Sequence, residues 1–169
     1  WPEMKKRSRM ILADYDNATL YNDSIMSEVI KRFEDEDAIV IYMSDHGEEA
    51  FGNGSSLFGR NHTAEIDFRL AHEEYEIPMW IWYSKKYAHK HPDIVKKVRR
   101  ASTLPFMSDN ISQVLVYLAG IHSPYYRAQY NPLDNDYDPE RRRILKGGQA
   151  DYDKIRAEKD KAGENNLGR

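Results

Sequence analysis

Between Ala38 and Glu48 the chain reads AIVIYMSDHGE, and no other stretch limits the fold as tightly. Ala38 to Met43 carries almost no polarity and includes the β-branched run Ile39-Val40-Ile41. Such a run reads as a strand buried on both faces, typical of a parallel sheet covered by helices. Polarity then returns abruptly in Ser44-Asp45-His46-Gly47-Glu48. In open α/β sheets chemistry collects beyond the carboxyl ends of the strands, which is where Asp45 and His46 stand. A carboxylate beside an imidazole is a donor pair suited to a divalent metal, zinc above all. Gly47 would let the backbone turn sharply just after them. Ser, Asp and Gly also build ordinary surface turns, so these residues alone leave both readings open.

The flanking sequence supplies the rest of an α/β unit. Apolar residues recur at helical spacing from Tyr15 to Phe33, which predicts an amphipathic helix, and Asp14 and Asp16 near its start suit the helix dipole. Residues 1–12, basic at Lys5, Lys6, Arg7 and Arg9, read as an incoming linker. The acidic turn Glu34-Asp35-Glu36-Asp37 leads straight into the strand, and helix, turn and strand make half of a crossover unit. A Gly- and Ser-rich loop from Glu49 to Asn61 would lie over the strand ends, where loops carry function. Residues 63–74 fit a loop or a short helix equally. Glu76 to Ser84, EIPMWIWYS, predicts a second buried strand with Pro78 near its beginning. Helices are expected over Pro92–Ala101 and Ser108–Ala119, the second capped by Ser108 or Asp109 and stopped by Gly120. Arg141, Arg142 and Arg143 are placed to pair with the acidic segment 134–140, Ile144-Leu145 suits a short edge strand, and residues 156–169 read as a charged, frayed tail. Residues 1–155 then form the folded portion.

Composition narrows the chemistry. At 169 residues the chain is about one domain long. A net charge of −3 and the lack of a basic, aromatic stripe argue against nucleic acid. With no cysteine there is neither a thiolate zinc site nor a cysteine nucleophile. No run is long and apolar enough for a membrane span. Thr19, Thr63 and Thr103 lie beside no evident base, and Ser44 lacks a G-x-S-x-G setting, so the chain shows no convincing nucleophile. Its start at Trp-Pro-Glu is read as a fragment with further sequence upstream. In Gly59-Arg60-Asn61-His62, Arg60 and His62 suit an anionic substrate or, equally, a solvated loop. Glu48 and Glu49 either support the metal pair from behind or lie on the surface. His89, His91 and His122 read as surface residues.

Four segments in order give these residues a family resemblance. Tyr15-Asp16-Asn17-Ala18-Thr19-Leu20-Tyr21-Asn22-Asp23 resembles a YDN-x-x-LY-x-D helix start. Ile41 to Glu48 resembles the strand and SDHGE metal motif, Gly59 to His62 the loop histidine, and Ile77-Pro78-Met79-Trp80-Ile81-Trp82 a vPlfiW strand. Together they resemble the C-terminal part of a phosphoethanolamine transferase, in the sulfatase-like branch of the alkaline phosphatase superfamily. The likeness covers most of residues 12–125. One departure stands out: Phe58-Gly59 falls where the family has Leu-His-Gly, and His62 comes later.

The resemblance implies an α/β/α sandwich with a mostly parallel sheet, of which this chain is the C-terminal portion. It implies a zinc enzyme on the periplasmic face of the bacterial inner membrane, anchored through an N-terminal region outside this chain. Phosphoethanolamine would pass from phosphatidylethanolamine to lipid A or a related glycan through a phospho-threonine, with the threonine and a Glu ligand lying upstream. Asp45 and His46 would hold the metal, Glu48 would stand behind them, and His62 would bind the phosphoryl group or protonate the leaving oxygen beside Arg60. The chain alone would then be inactive. Alternatives on the same fold are a sulfatase, a glycerophosphate transferase using manganese, or a non-catalytic half-domain. Exposed sheet edges and apolar surface predict self-association of the isolated chain.

Overall fold

The computed structural model describes residues 4–51, 58–60 and 65–167. In chain order its elements are helix α1 (Lys6–Phe33), strand β1 (Ile39–Met43), the short strands β2 (Glu49–Ala50) and β3 (Phe58–Gly59), helix α2 (Phe68–Tyr75) and strand β4 (Met79–Tyr83). Helices α3 (Lys85–Lys90), α4 (Pro92–Ala101) and α5 (Ile111–Leu118) follow, then strands β5 (Ile144–Leu145) and β6 (Ala150–Asp151) and helix α6 (Tyr152–Leu167). The mixture of helix and sheet is the expected α/β class. Two compact units emerge, one of residues Trp1–Phe33, Val40–Trp82 and Ile144–Arg169, the other of Glu34–Ile39 and Tyr83–Arg143.

In the first unit α1 begins at Lys6, so residues 6–12 are helix and not a linker. Lys, Arg, Met, Ile and Leu are strong helix formers, and neither Gly nor Pro interrupts the stretch to Phe33. Asp14 and Asp16 consequently lie in the helix interior, and the first turn holds no acid to meet the dipole. Asn22 of α1 donates to the Tyr42 hydroxyl at 2.8 Å, and the Tyr42 ring stacks on Trp80 of β4 at 5.1 Å. Strands β1 and β4 pair with each other. The Ser44 amide meets the Pro78 carbonyl beyond one end and the Ser84 amide meets the Ala38 carbonyl beyond the other, so this pair runs antiparallel. All their residues are half-buried, not covered on both faces as expected. Among the described residues each long strand has one ladder partner, and α1 buries none of its own residues fully.

The two ends of the Gly-rich loop pair as an antiparallel hairpin, Glu49 opposite Gly59 and Ala50 opposite Phe58. Asp67 caps α2 by accepting from the Leu70 amide at 2.9 Å, and Pro78 keeps the chain extended shortly after the helix ends. Beneath α2, Ala71, Leu145 and Tyr152 form a core with Ile66, Tyr75, Ala150 and Ile155 packed around it. Ile144-Leu145 is a strand, paired antiparallel with β6. Residues 156–167 continue α6, where a frayed tail was expected. Tyr152 and Ile155 anchor the first turn, and the Tyr152 hydroxyl donates to Glu76.

The second unit is tied together by side-chain bonds to backbone. Ser84 caps α3, which the sequence pattern did not reveal, by accepting from the Tyr87 amide at 3.0 Å and donating to the Glu36 carbonyl at 2.5 Å. Helix α4 spans the expected residues with Pro92 in its first turn. Helix α5 has no side-chain cap, but Gly120 takes a φ of +65° where the chain leaves it. Leu133, Val114 and Asn131 are fully buried. Arg141 does not join the acidic 134–140 segment; it forks onto Asp109 at 2.6 and 3.1 Å and lies 5.0 Å over the Tyr130 ring. A planar guanidinium gains more from a bidentate carboxylate and an aromatic face than from a solvated run of acids.

Candidate metal centre

The turn after β1 is fixed by its own backbone and side chains. Ser44 donates from its amide to Pro78 at 3.2 Å and from its hydroxyl to the His46 carbonyl at 2.7 Å. Asp45 accepts the His46 amide on Oδ1 at 3.1 Å, which leaves Oδ2 facing the imidazole. Gly47 donates to the Glu74 carbonyl at 3.0 Å. A Cβ on Gly47 would lie 2.2 Å from the Glu73 carbonyl oxygen, so glycine is required here for room against α2 and not for a left-handed turn.

His46 Nδ1 lies 2.8 Å from the Gly47 carbonyl oxygen. A carbonyl only accepts, so Nδ1 carries the proton and Nε2 presents its lone pair. That nitrogen stands 3.6 Å from Asp45 Oδ2. Two ligands of a tetrahedral zinc at about 2.1 Å are about 3.4 Å apart, and the pair stands close to that spacing. Asp45 keeps 88% of its side chain exposed and His46 39%, leaving both open to an ion. Glu48 Oε2 lies 3.6 Å from Nδ1, beyond hydrogen-bond range. No group of three or more His, Cys, Asp or Glu is gathered for a metal among the described residues. Asp45 and His46 stand as a pair, one oxygen and one nitrogen donor.

The neighbouring residues divide sharply. Phe58 packs its ring 5.6 Å from Phe51 and 5.8 Å from Tyr15. Arg60 lies 5.7 Å over the Tyr75 ring, with its Nε buried and unbonded. His62 falls outside the described residues. Glu49, read as a support or a surface acid, is fully buried and bonded to Arg69 at 2.5 Å. Nothing local pointed to the burial of Glu49 or to Arg69 as its partner.

Comparison with known proteins places this geometry in a family. The family model described as Sulfatase matches residues 2–121. Phosphoethanolamine transferase EptA of Salmonella typhimurium is 33% identical over 123 residues, covering 70% of this chain and 22% of the relative. Kdo(2)-lipid A phosphoethanolamine 7''-transferase of Escherichia coli K12 is 37% identical over 78 residues, 46% of this chain and 13% of that one. The crystal structure of the C-terminal periplasmic domain of EptC from Escherichia coli, in complex with Zn, superposes with a TM-score of 0.68 at 26% identity, over 90% of this chain and 42% of that one. The chain thus spans about a fifth, 22%, of the length of the first of these relatives. With the Sulfatase model matching residues 2–121, most of its length, the chain belongs to the sulfatase family.

Proposed function

We propose that the protein carrying this chain transfers phosphoethanolamine from phosphatidylethanolamine to lipid A or a related glycan at the periplasmic face of the inner membrane. Asp45 and His46 are two of its zinc ligands. The observation that carries this reading is the 3.6 Å spacing of Asp45 Oδ2 and His46 Nε2, with Nδ1 occupied by the Gly47 carbonyl. The relatives' names and the zinc complex of the EptC domain support it.

A carboxylate and a neutral imidazole are the oxygen and nitrogen donors zinc prefers, so the residues present fit the ion. When bound, zinc lowers the pKa of a nucleophilic hydroxyl and neutralises phosphoryl oxygens. The nucleophile is a threonine outside this chain. Its oxygen forms a bond to phosphorus as the bond from phosphorus to the diacylglycerol oxygen breaks, and the acceptor hydroxyl then displaces it. Within this chain Asp45 orients His46 through the bond from its amide. Glu48 faces the proton-bearing side of the ring. Arg60 and His62 meet the anionic phosphoryl group, with His62 supplying a proton to the leaving oxygen.

The test replaces Asp45 or His46 by Ala in the protein expressed from its complete reading frame and follows headgroup transfer to lipid A by mass spectrometry. Loss of transfer in both variants is expected. Wild-type transfer in either overturns the proposal.

A further inference from the structure

Outside the turn itself, the strongest unassigned feature is a buried charge beside it. Glu49 is 0% exposed, yet among the described residues only Oε1 is bonded, to Arg69 Nη1 at 2.5 Å, and the buried Oε2 has no hydrogen-bond partner. Arg69, in the first turn of α2, also reaches Glu73 at 3.2 Å. Burial would lower the Arg69 pKa, but the carboxylates of Glu49, Glu73 and Asp67 together outweigh it and raise it. A buried ion pair adds little stability over apolar residues of the same size, and its use lies in fixed direction. A half-bonded carboxylate of this kind is uncommon in a purely structural role.

The geometry supplies that direction. Gly47 is pinned to the last turn of α2 by its amide, and Glu49 to the first turn by its carboxylate. Segment 47–49 is thus fastened at two points to one helix, immediately after the Asp45-His46 pair, while Ser44 is fastened to Pro78 immediately before it. We infer that the buried Glu49–Arg69 pair positions Asp45 and His46, holding them at ligand spacing through α2. Glu49 and Arg69 are positioning residues; neither touches the metal. This inference rests on the reading of Asp45 and His46 as metal ligands.

The test uses the protein from its complete reading frame and three variants. The double variant Glu49→Leu/Arg69→Met removes both charges and keeps the packing, Arg69→Lys keeps the charge but replaces the planar guanidinium by an ammonium, and Asp45→Ala removes a ligand. Zinc affinity is measured by competition with a chelator, alongside the melting temperature and the kcat and KM for phosphatidylethanolamine. The double variant is expected to melt at or above the parent temperature, to bind zinc about tenfold to a hundredfold more weakly and to lose kcat at unchanged KM. Arg69→Lys should shift zinc affinity in the same direction. Parent zinc affinity in the double variant or in Arg69→Lys overturns the positioning role while leaving the metal reading intact. Parent affinity in Asp45→Ala overturns the metal reading and this inference with it.

Discussion

The two units treat buried polar groups in opposite ways. In the second unit the fully buried Asn131 has both ends of its amide engaged: Nδ2 donates to the Tyr126 hydroxyl at 2.8 Å and Oδ1 accepts the Leu133 amide at 3.0 Å. Tyr126 in turn donates a hydrogen bond to Asp134 at 2.7 Å, and Arg100 clamps the Pro132 and Asp134 carbonyls. In the first unit Glu49 has one bonded oxygen and one orphan, and Arg60 Nε is buried without a partner. Phe51, at the edge of the hairpin, holds a φ of +59°, a conformation costly for a bulky side chain. The satisfied network lies in the unit that carries no candidate ligand. The unsatisfied charge and the strain lie three and five residues after His46 along the chain. A scaffold can saturate its hydrogen bonds, whereas a binding site keeps some capacity unspent.

The sharpest way to break this contrast is to remove one charge. Arg69→Met leaves Glu49 buried with no counter-charge, and the variant is expected to lose about 3 kcal/mol or more, read as a fall in urea midpoint. The double variant with Glu49→Leu should recover that loss. If Arg69→Met alone is neutral, the pair is not under the load described here. In the second unit the comparable blow is apolar: Leu133→Ala empties a fully buried site and should cost about 2–5 kcal/mol by the same measurement.

A smaller effect separates the units by pH. Burial, with the Asp134 carboxylate accepting its proton, pushes the Tyr126 phenol up to about 12 against the opposing bond from Asn131; the Tyr117 ring also faces it. The folded value lies above the ordinary one near 10, so the stability it contributes is full below pH 10 and is lost as pH rises from there to about 12. Tyr126→Phe should flatten this alkaline limb in a series of melts. In the first unit Glu76 shows the opposite sign. Burial raises its pKa, but bonds from Tyr152 and His72 outweigh that and hold it below the ordinary carboxylate range. Its contribution is present above that range and is lost as pH falls through the lowered value. Tyr152→Phe should weaken this acid limb. The smallest effect belongs to Glu28 and Lys31, an exposed pair one turn apart on α1. Glu28→Gln should leave the melting temperature unchanged, because solvent screens such pairs.

Local signals were legible where one residue type decides the backbone. The apolar run ending at Met43, Pro92 opening α4 and Gly120 closing α5 each express a preference of the chain itself. The turn at Asp45 and His46 was legible from residue type and place after a strand, and its metal reading stands as the proposal above. Their partners in space were not. Glu49 meets Arg69 twenty residues on, and Arg141 meets Asp109 thirty-two residues back; only the tertiary fold decides either pairing. The helices at 6–12 and in α6 were hidden by charge, since a polar composition reads as linker or tail until an apolar anchor such as Ile155 is seen in place. His62 lies outside the described residues, and its role remains a proposal.

The central claim is that one zinc ion is held by Asp45 and His46 together. It is tested most directly by measuring zinc per molecule, by elemental mass spectrometry, in the protein from its complete reading frame and in the variant Asp45→Ala/His46→Ala. The account predicts bound zinc in the parent and its loss in the variant while the fold, followed by circular dichroism, is retained. Equal zinc in the two folded proteins would contradict it.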